Sequence, residues 1–207
     1  MSRILLITYT PRFESNTAKL VDTFIETMDK RSDITHLDLV KKPAPFLLED
    51  NLNALLKRNF MGMKLTESEN KAVESTDVLV QQLQETDQIV MAFPMYNFSV
   101  PAAIKAWFDA VIQNGKTFKM TDEGGYEGLC QGKRSLILMS TGGDFSVEPA
   151  KSMNYATPLA EACMGFMDIE SHSITAYGLN QYMDRANKIV ADTQQEIKSY
   201  LNEQWMR

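Results

Sequence analysis

An unbroken apolar run from Ile89 to Phe93 is the feature that most constrains the fold of this chain. A strand without polar alternation is typical of a parallel sheet that is covered on both faces. The run ends at Pro94, and after a short loop the apolar positions recur with a helical period. We expect Ser99 to cap this helix and Pro101 to lie at or near its first position. A strand, a loop and a helix in this order indicate an open α/β sheet, in which ligands bind beyond the carboxyl ends of the strands.

The loop after this strand consists of Pro94, Met95, Tyr96, Asn97 and Phe98. It contains an amide, two aromatic rings and a thioether, but no nucleophile, base or set of metal ligands. Such a lining suits a flat, apolar ligand with hydrogen-bonding edges better than it suits hydrolytic chemistry.

A second candidate loop follows the first strand, Arg3 to Thr8, and runs from Thr10 through Ser15, Asn16 and Thr17 into an amphipathic helix. The free N–H groups and dipole of a helix start bind phosphate, and these side chains add further donors. The alternative is that Ser15 only caps the helix. Neither a GxGxxG segment after the strand nor a GxxxxGK[ST] segment is present, so a Rossmann dinucleotide site or a P-loop lacks its fingerprint.

A third loop, Ser140, Thr141, Gly142 and Gly143, follows the strand predicted at residues 135–140. Paired glycines let backbone N–H groups approach a ligand closely, or they only make a turn. With further strands at 34–40, at an edge of the sheet, and at 171–176, the chain predicts one domain over residues 1–207. We expect a flavodoxin-like, doubly wound, five-stranded parallel sheet in the order 2-1-3-4-5, with helices on both faces. Residues 46–86 are expected to form an excursion of two helices, and residues 116–132 a hairpin or flap.

Composition narrows the possible partners. The net charge is −6 and no lysine-arginine cluster occurs, which argues against nucleic acid or an anionic membrane as the main partner. The apolar start at Ile4 is too short for a signal peptide or a membrane span, so we expect a cytoplasmic protein. Cys130 and Cys163 are interpreted as unpaired, non-catalytic thiols, and His36 and His172 lack the companions that a metal site or a triad needs.

In the 2-1-3-4-5 order the three loops meet at one edge of the sheet. A donor-rich helix start suits a phosphate, an aromatic-amide loop suits a ring system, and a Gly-Gly loop suits carbonyl oxygens. Together they describe a site for flavin mononucleotide, FMN.

Several segments closely resemble the FMN-dependent NADH:quinone oxidoreductases called azoreductases. They are Met95 to Pro101, Lys105 to Trp107, Gly115 to Phe118, Gly128 and Leu129, and Ser140 to Gly143. The resemblance implies a homodimer with one FMN per subunit at the interface. It also implies that FMN is held by Thr10, Ser15, Asn16, Thr17, Pro94, Met95, Tyr96, Asn97, Phe98, Ser140, Thr141, Gly142 and Gly143.

In that family the backbone of Asn97 would lie near the flavin N5, and the N–H groups of Gly142 and Gly143 near its pyrimidine edge. Phe60 and Phe118 resemble the aromatic residues that border the partner subunit's flavin. Met120 stands where many relatives carry a tyrosine, so the substrate pocket is expected to differ there.

The resulting hypothesis is a ping-pong transfer of hydride equivalents from NADH or NADPH through FMN to quinone or azo acceptors. One alternative is a flavodoxin-type electron carrier that serves a protein partner. Another is a phosphate-binding α/β hydrolase or regulatory domain without flavin. The helical excursion and the flap, which a minimal carrier does not need, favour the enzyme.

Overall fold

A five-stranded parallel sheet forms the centre of the computed structural model, which describes residues 2–28 and 32–205. The predicted domain also includes residues 1, 29–31 and 206–207, which lie outside the described residues. The sheet order is β2-β1-β3-β6-β7, and an antiparallel hairpin, β4-β5, stands apart from it. With the hairpin left out, this is the predicted 2-1-3-4-5 order. The strands are β1 (Ser2–Thr8), β2 (Ser32–Asp38), β3 (Gln88–Pro94), β4 (Phe118–Met120), β5 (Tyr126–Gly128), β6 (Arg134–Ser140) and β7 (Glu170–Ala176).

The described residues form six α-helices, and five of them pack against the sheet. A 3₁₀ turn, Ala150–Met153, precedes the fifth helix, and a π-helical turn, Leu201–Trp205, follows the sixth. None of the described helices is both long and apolar enough to cross a membrane. The helices are α1 (Asn16–Met28), α2 (Glu49–Asn59), α3 (Glu67–Gln84), α4 (Ala102–Val111), α5 (Ala156–Phe166) and α6 (Ala186–Tyr200).

Alternate residues of the central strands face two separate cores. Leu5 and Met91 pack with residues of α3, α4 and α5, whereas Leu6 and Val90 pack with residues of α1 and α6. The apolar run that begins at Ile89 is therefore buried on both faces, as its lack of alternation predicts. Helices cover both faces of the sheet, which confirms that part of the fold prediction.

The predicted excursion at residues 46–86 is only half correct. Leu79 and Leu83 of α3 belong to the main core, so α3 is the helix that connects β2 to β3 across the sheet. Sequence periodicity can mark the inward positions of a helix, but it does not say which surface the helix covers. Among the described helices, only α2 stands apart from the sheet, in a small cluster that contains Ala54, Leu55 and Val73.

Two predicted boundaries are wrong. α4 begins at Ala102 with Pro101 in the N-cap position, which agrees with the prediction for Pro101. Ser99 does not cap the helix, because it lies two residues before that position, in the turn with Tyr96. β2 is an edge strand as predicted, but it ends at Asp38, whose side chain accepts a hydrogen bond from the backbone N–H of Val40 at 3.0 Å. This local turn ends the strand before its apolar pattern ends.

The pair Arg3 and Asp87 gives a prediction about acid stability. Hydrogen bonds from the side chain and the backbone N–H of Arg3 lower the pKa of Asp87 from 3.8 to about 2. A folded-state pKa below the unfolded one stabilises the protein fully above about pH 4, and this contribution disappears as the pH falls toward 2. We expect Asp87→Asn to lower the free energy of unfolding at neutral pH by about 1 kcal/mol or less, because both side chains are about half exposed.

The measurement is urea denaturation of both proteins at neutral pH and at acidic pH. The difference between them should shrink as the pH falls from about 4 toward 2. Glu74→Gln, which removes an exposed carboxylate from α3, serves as the control for a lost negative charge. A difference that grows on acidification would contradict this assignment.

Candidate functional site

A cavity of about 230 Å³ lies beyond the carboxyl ends of the central strands. Three predicted loops meet there, together with a loop after β7 that the sequence did not indicate. Ser15, Asn16, Thr17, Pro94, Met95, Tyr96, Ser140, Thr141 and Gly142 are the predicted residues that line it, and Pro11, Arg12, Glu14, Leu179 and Asn180 complete the lining. Thr10, Asn97, Phe98 and Gly143 belong to the same loops but are not part of the lining.

The start of α1 contributes hydrogen-bond donors to this cavity. The side chain of Ser15 accepts a hydrogen bond from the backbone N–H of Ala18 at 3.3 Å, so Ser15 does cap the helix. The backbone N–H groups of Asn16 and Thr17 have no acceptor within residues 2–28 and 32–205. Free N–H groups at the positive end of a helix form an anion-binding surface, so capping and anion binding are compatible here.

A buried hydrogen bond joins two of the loops. The hydroxyl groups of Thr17 and Ser140 are 2.6 Å apart, and both side chains are buried. The backbone oxygen of Ser140 accepts a hydrogen bond from the N–H of Met95 at 2.9 Å, which links the aromatic loop to Ser140 as well. Ser140 therefore connects its own loop to each of the other two.

The aromatic loop contains a tight turn in an unusual conformation. Tyr96 and Ser99 exchange two backbone hydrogen bonds of 3.0 Å, and Asn97 and Phe98 between them have φ angles of 46° and 71°. Two positive φ angles define a type I′ turn, which Asn adopts readily and Phe rarely. The oxygen of Phe98 accepts a hydrogen bond from Tyr155 at 2.9 Å, which helps to hold it. Strained backbone of this kind is typical of functional sites.

The turn also determines what the loop offers to a ligand. The backbone N–H groups of Asn97 and Phe98 have no acceptor in the described part of the chain. The ring of Tyr96 meets that of Tyr9 edge to face, with centroids 6.1 Å apart. Burial and the neighbouring Tyr9 raise the pKa of Tyr96, so its hydroxyl stays protonated at neutral pH. This edge of the cavity therefore combines aromatic surface with main-chain donors.

Gly142 is explained by close packing against the loop after β7. A Cβ at this position would lie 2.7 Å from the side-chain nitrogen of Asn180. The carbonyl of Gly142 accepts hydrogen bonds of 2.9 Å from the N–H groups of Asn180 and Gln181. The N–H groups of Gly142 and Gly143 have no acceptor among the residues that the structure describes. Both readings of the paired glycines, a turn and a donor surface, are thus compatible with the structure.

Leu179 and Asn180 were missed because no sequence motif marks the end of β7. The rule that was applied to the other strands would have found them, since β7 is also parallel and ends at the same edge. Arg12 is exposed and lines the cavity beside Ser15.

The three residues assigned to a substrate pocket lie outside this cavity. Phe118 is buried against Tyr126 and Phe166, with ring centroids 6.0 and 4.8 Å away. The side chains of Phe60 and Met120 are 53% and 52% exposed. A pocket bordered by Phe60 and Met120 would have to form on the outer surface of the subunit.

The remaining candidate residues have structural partners. Cys130 and Cys163 are unpaired, as predicted, and burial raises the pKa of both thiols. His36 is 2.9 Å from the hydroxyl of Thr8, and His172 stacks on Tyr200. No group of three or more potential metal ligands occurs among the described residues.

Comparison with known proteins identifies the family. Residues 2–201 match the family model described as "Flavodoxin-like fold". FMN-dependent NADH:quinone oxidoreductase 2 of Bacillus cereus is 34% identical over 204 residues, which cover 96% of this chain and 97% of that protein. The chain belongs to the family of FMN-dependent NADH:quinone oxidoreductases.

Other members of this oxidoreductase family agree. FMN-dependent NADH:quinone oxidoreductase 1 of Bacillus subtilis is 31% identical, with 96% of this chain and 97% of that protein covered. The crystal structure of azoreductase from Bacillus anthracis str. Sterne superimposes with a TM-score of 0.90 at 30% identity, over 98% of this chain and 100% of that one. The family resemblance drawn from the segment Met95 to Pro101 is confirmed.

Proposed function

We propose that this protein binds FMN in the cavity and transfers hydride equivalents from NADH or NADPH to quinones and azo compounds by a ping-pong mechanism. The observation that carries the proposal is the convergence of three donor-bearing loops on one cavity at the carboxyl edge of the sheet. The names of the curated relatives, which are FMN-dependent NADH:quinone oxidoreductases, support it. When bound, FMN supplies the redox chemistry, so the protein needs to bind the flavin, orient the substrates against it and exclude competing reactions.

We assign the FMN phosphate to the start of α1, with Ser15, Asn16 and Thr17 as donors, Thr10 nearby and the positive charge of Arg12 beside them. The loop from Pro94 to Phe98 would hold the isoalloxazine, with the backbone of Asn97 toward N5. The last loop would face the pyrimidine edge, where the N–H groups of Gly142 and Gly143 would stabilise negative charge. The loop that would face the pyrimidine edge consists of Ser140, Thr141, Gly142 and Gly143.

The phosphate assignment is tested with riboflavin, which lacks the phosphate of FMN. We expect FMN to bind much more tightly than riboflavin to the flavin-free protein. Arg12→Ala should weaken FMN binding roughly three- to tenfold, because it removes one exposed charge, and should leave riboflavin binding unchanged. Lys198→Ala, in the last turn of α6, is the control for a lost positive charge. Equal affinities of the wild-type protein for FMN and riboflavin would contradict the assignment.

The enzyme and the electron carrier are distinguished by mixing the yellow protein with NADH without oxygen. We expect rapid loss of the flavin colour and its return when a quinone or azo compound is added. Parallel double-reciprocal plots at several NADH concentrations would support the ping-pong order. Persistent colour would favour the flavodoxin-type carrier, and a colourless protein that takes up no FMN would contradict both flavin functions.

We further propose that the protein is a homodimer that acts in the cytoplasm. Leu48, Leu52, Leu56 and Phe60 are spaced four residues apart along α2, and each is at least 39% exposed. Residues with this spacing form one stripe on a helix, and Met61 and Met63, which follow in the chain, are also exposed. An apolar stripe of this kind is typical of a protein interface. A second copy of the chain would cover this stripe. Phe60 of each copy would then lie close to the surface of the other copy.

The dimer is tested by sedimentation of the wild-type protein and of Leu52→Lys. We expect a dimer for the wild type and at least a roughly tenfold higher dissociation constant for the variant, because a charge at the centre of an interface is strongly unfavourable. Met183→Lys is the matched control, since Met183 is 79% exposed and lies between β7 and α6. A monomeric wild-type protein would overturn the dimer, and recovery in a membrane fraction would contradict a cytoplasmic location.

A further inference from the structure

The end of α2 is clamped to its neighbours by polar side chains. The guanidinium of Arg58 forms two hydrogen bonds of 2.7 Å to Asp77 on α3. The side-chain oxygen of Gln113, just after α4, accepts hydrogen bonds from Arg58 at 3.2 Å and from the side chain of Asn59 at 3.1 Å. Gln113 is only 4% exposed, and its amide nitrogen donates to the backbone oxygen of Ala110. The end of α2 is therefore anchored to α3 and to the turn after α4.

Asn114 extends this anchorage to the hairpin. Its side-chain nitrogen donates to the backbone oxygen of Asn59 at 2.7 Å, and its side-chain oxygen accepts from the backbone N–H of Met120 at 3.3 Å. One carboxamide thus connects two peptide groups. The peptide group of Asn59 leads into Phe60, and the other peptide group contains the N–H of Met120. The backbone at both exposed residues is therefore bonded to the side chain of Asn114.

The base of the hairpin is fixed without Asn114. The N–H of Leu129 donates to the oxygen of Thr117, and the N–H of Cys130 donates to the oxygen of Met167. Gly128 packs so closely on the end of α5 that a Cβ would lie 2.3 Å from the backbone nitrogen of Asp168. Removal of the Asn114 side chain should therefore loosen the link between Phe60 and Met120 and leave the rest of the fold in place.

We propose that Asn114 is a positioning residue that sets the spacing of Phe60 and Met120, and through them the width of the electron-acceptor pocket. The proposal rests on the proposed function and on the expectation, drawn from the family resemblance, that Phe60 and Met120 border the acceptor pocket. Within one chain both residues are more than half exposed, so packing inside the subunit restrains their side chains little. The carboxamide needs a donor on one side and an acceptor on the other, which is why an amide fits and a carboxylate does not.

The bridge itself is tested on flavin-free protein by hydrogen–deuterium exchange. Asn114→Ala removes both hydrogen bonds, and the backbone N–H of Met120 should exchange faster. Asn114→Asp keeps the acceptor for Met120 but places an oxygen against the oxygen of Asn59, so it should loosen the end of α2 more than the hairpin. Asn53→Asp is the matched control, because Asn53 lies on α2 and donates only to Glu49 within the same helix.

The consequence for the reaction is tested by steady-state kinetics of the FMN-loaded proteins. Both Asn114 variants should raise KM for a bulky azo acceptor roughly three- to tenfold, the effect of one lost hydrogen bond, while kcat and FMN affinity stay within about twofold. A small quinone should be affected less. If the wild-type protein oxidises NADH but the Asn114 variants show the same exchange rates and KM values as Asn53→Asp, the role of Asn114 is overturned and the proposed function stands. A wild-type protein that does not react with NADH would overturn the proposed function and the pocket role with it.

Discussion

The parallel register of β1, β3 and β6 is the constraint on which the rest of the structure depends. Pro94 pairs with Ser140, and Thr8 pairs with Ala92, so the three strands end at one edge. Burial on both faces fixes that register, because a slip by one residue would exchange the two cores. The loops that leave this edge then meet by geometry alone, and the bond between Thr17 and Ser140 locks the meeting point.

The sequence was sufficient for the sheet, its order and most of the cavity lining, because apolar runs and helix-start signals report burial and capping directly. It was insufficient where two tertiary partners compete for one segment. Ser99 has the chemistry of a helix cap, yet the turn with Tyr96 uses its backbone instead. α3 has the pattern of an amphipathic helix, but its pattern does not say that the sheet is its partner. Asn180 carries no local signal, since only the position of β7 brings it to the cavity.

The parts added to the basic fold are α2 and the hairpin, and both are joined to the turn that follows α4. That turn lies one helix away from the aromatic loop, so the added parts and the cavity share α4 as a common support. Trp107 and Phe108 of α4 are fully buried in the main core, which makes this support rigid. Polar contacts of Arg58, Gln113 and Asn114 then fix parts that bury little apolar surface of their own.

Free main-chain donors line the cavity at Asn16, Thr17 and Gly142, and the same loops carry three more at Asn97, Phe98 and Gly143. The position of a main-chain donor depends on the path of the backbone and not on the identity of the side chain. Proline is the one residue type that abolishes it, because only proline lacks the N–H. A site built in this way tolerates drift of its side chains as long as the turn geometry survives. Relatives that share only about a third of their residues with this chain can therefore keep the same recognition surface.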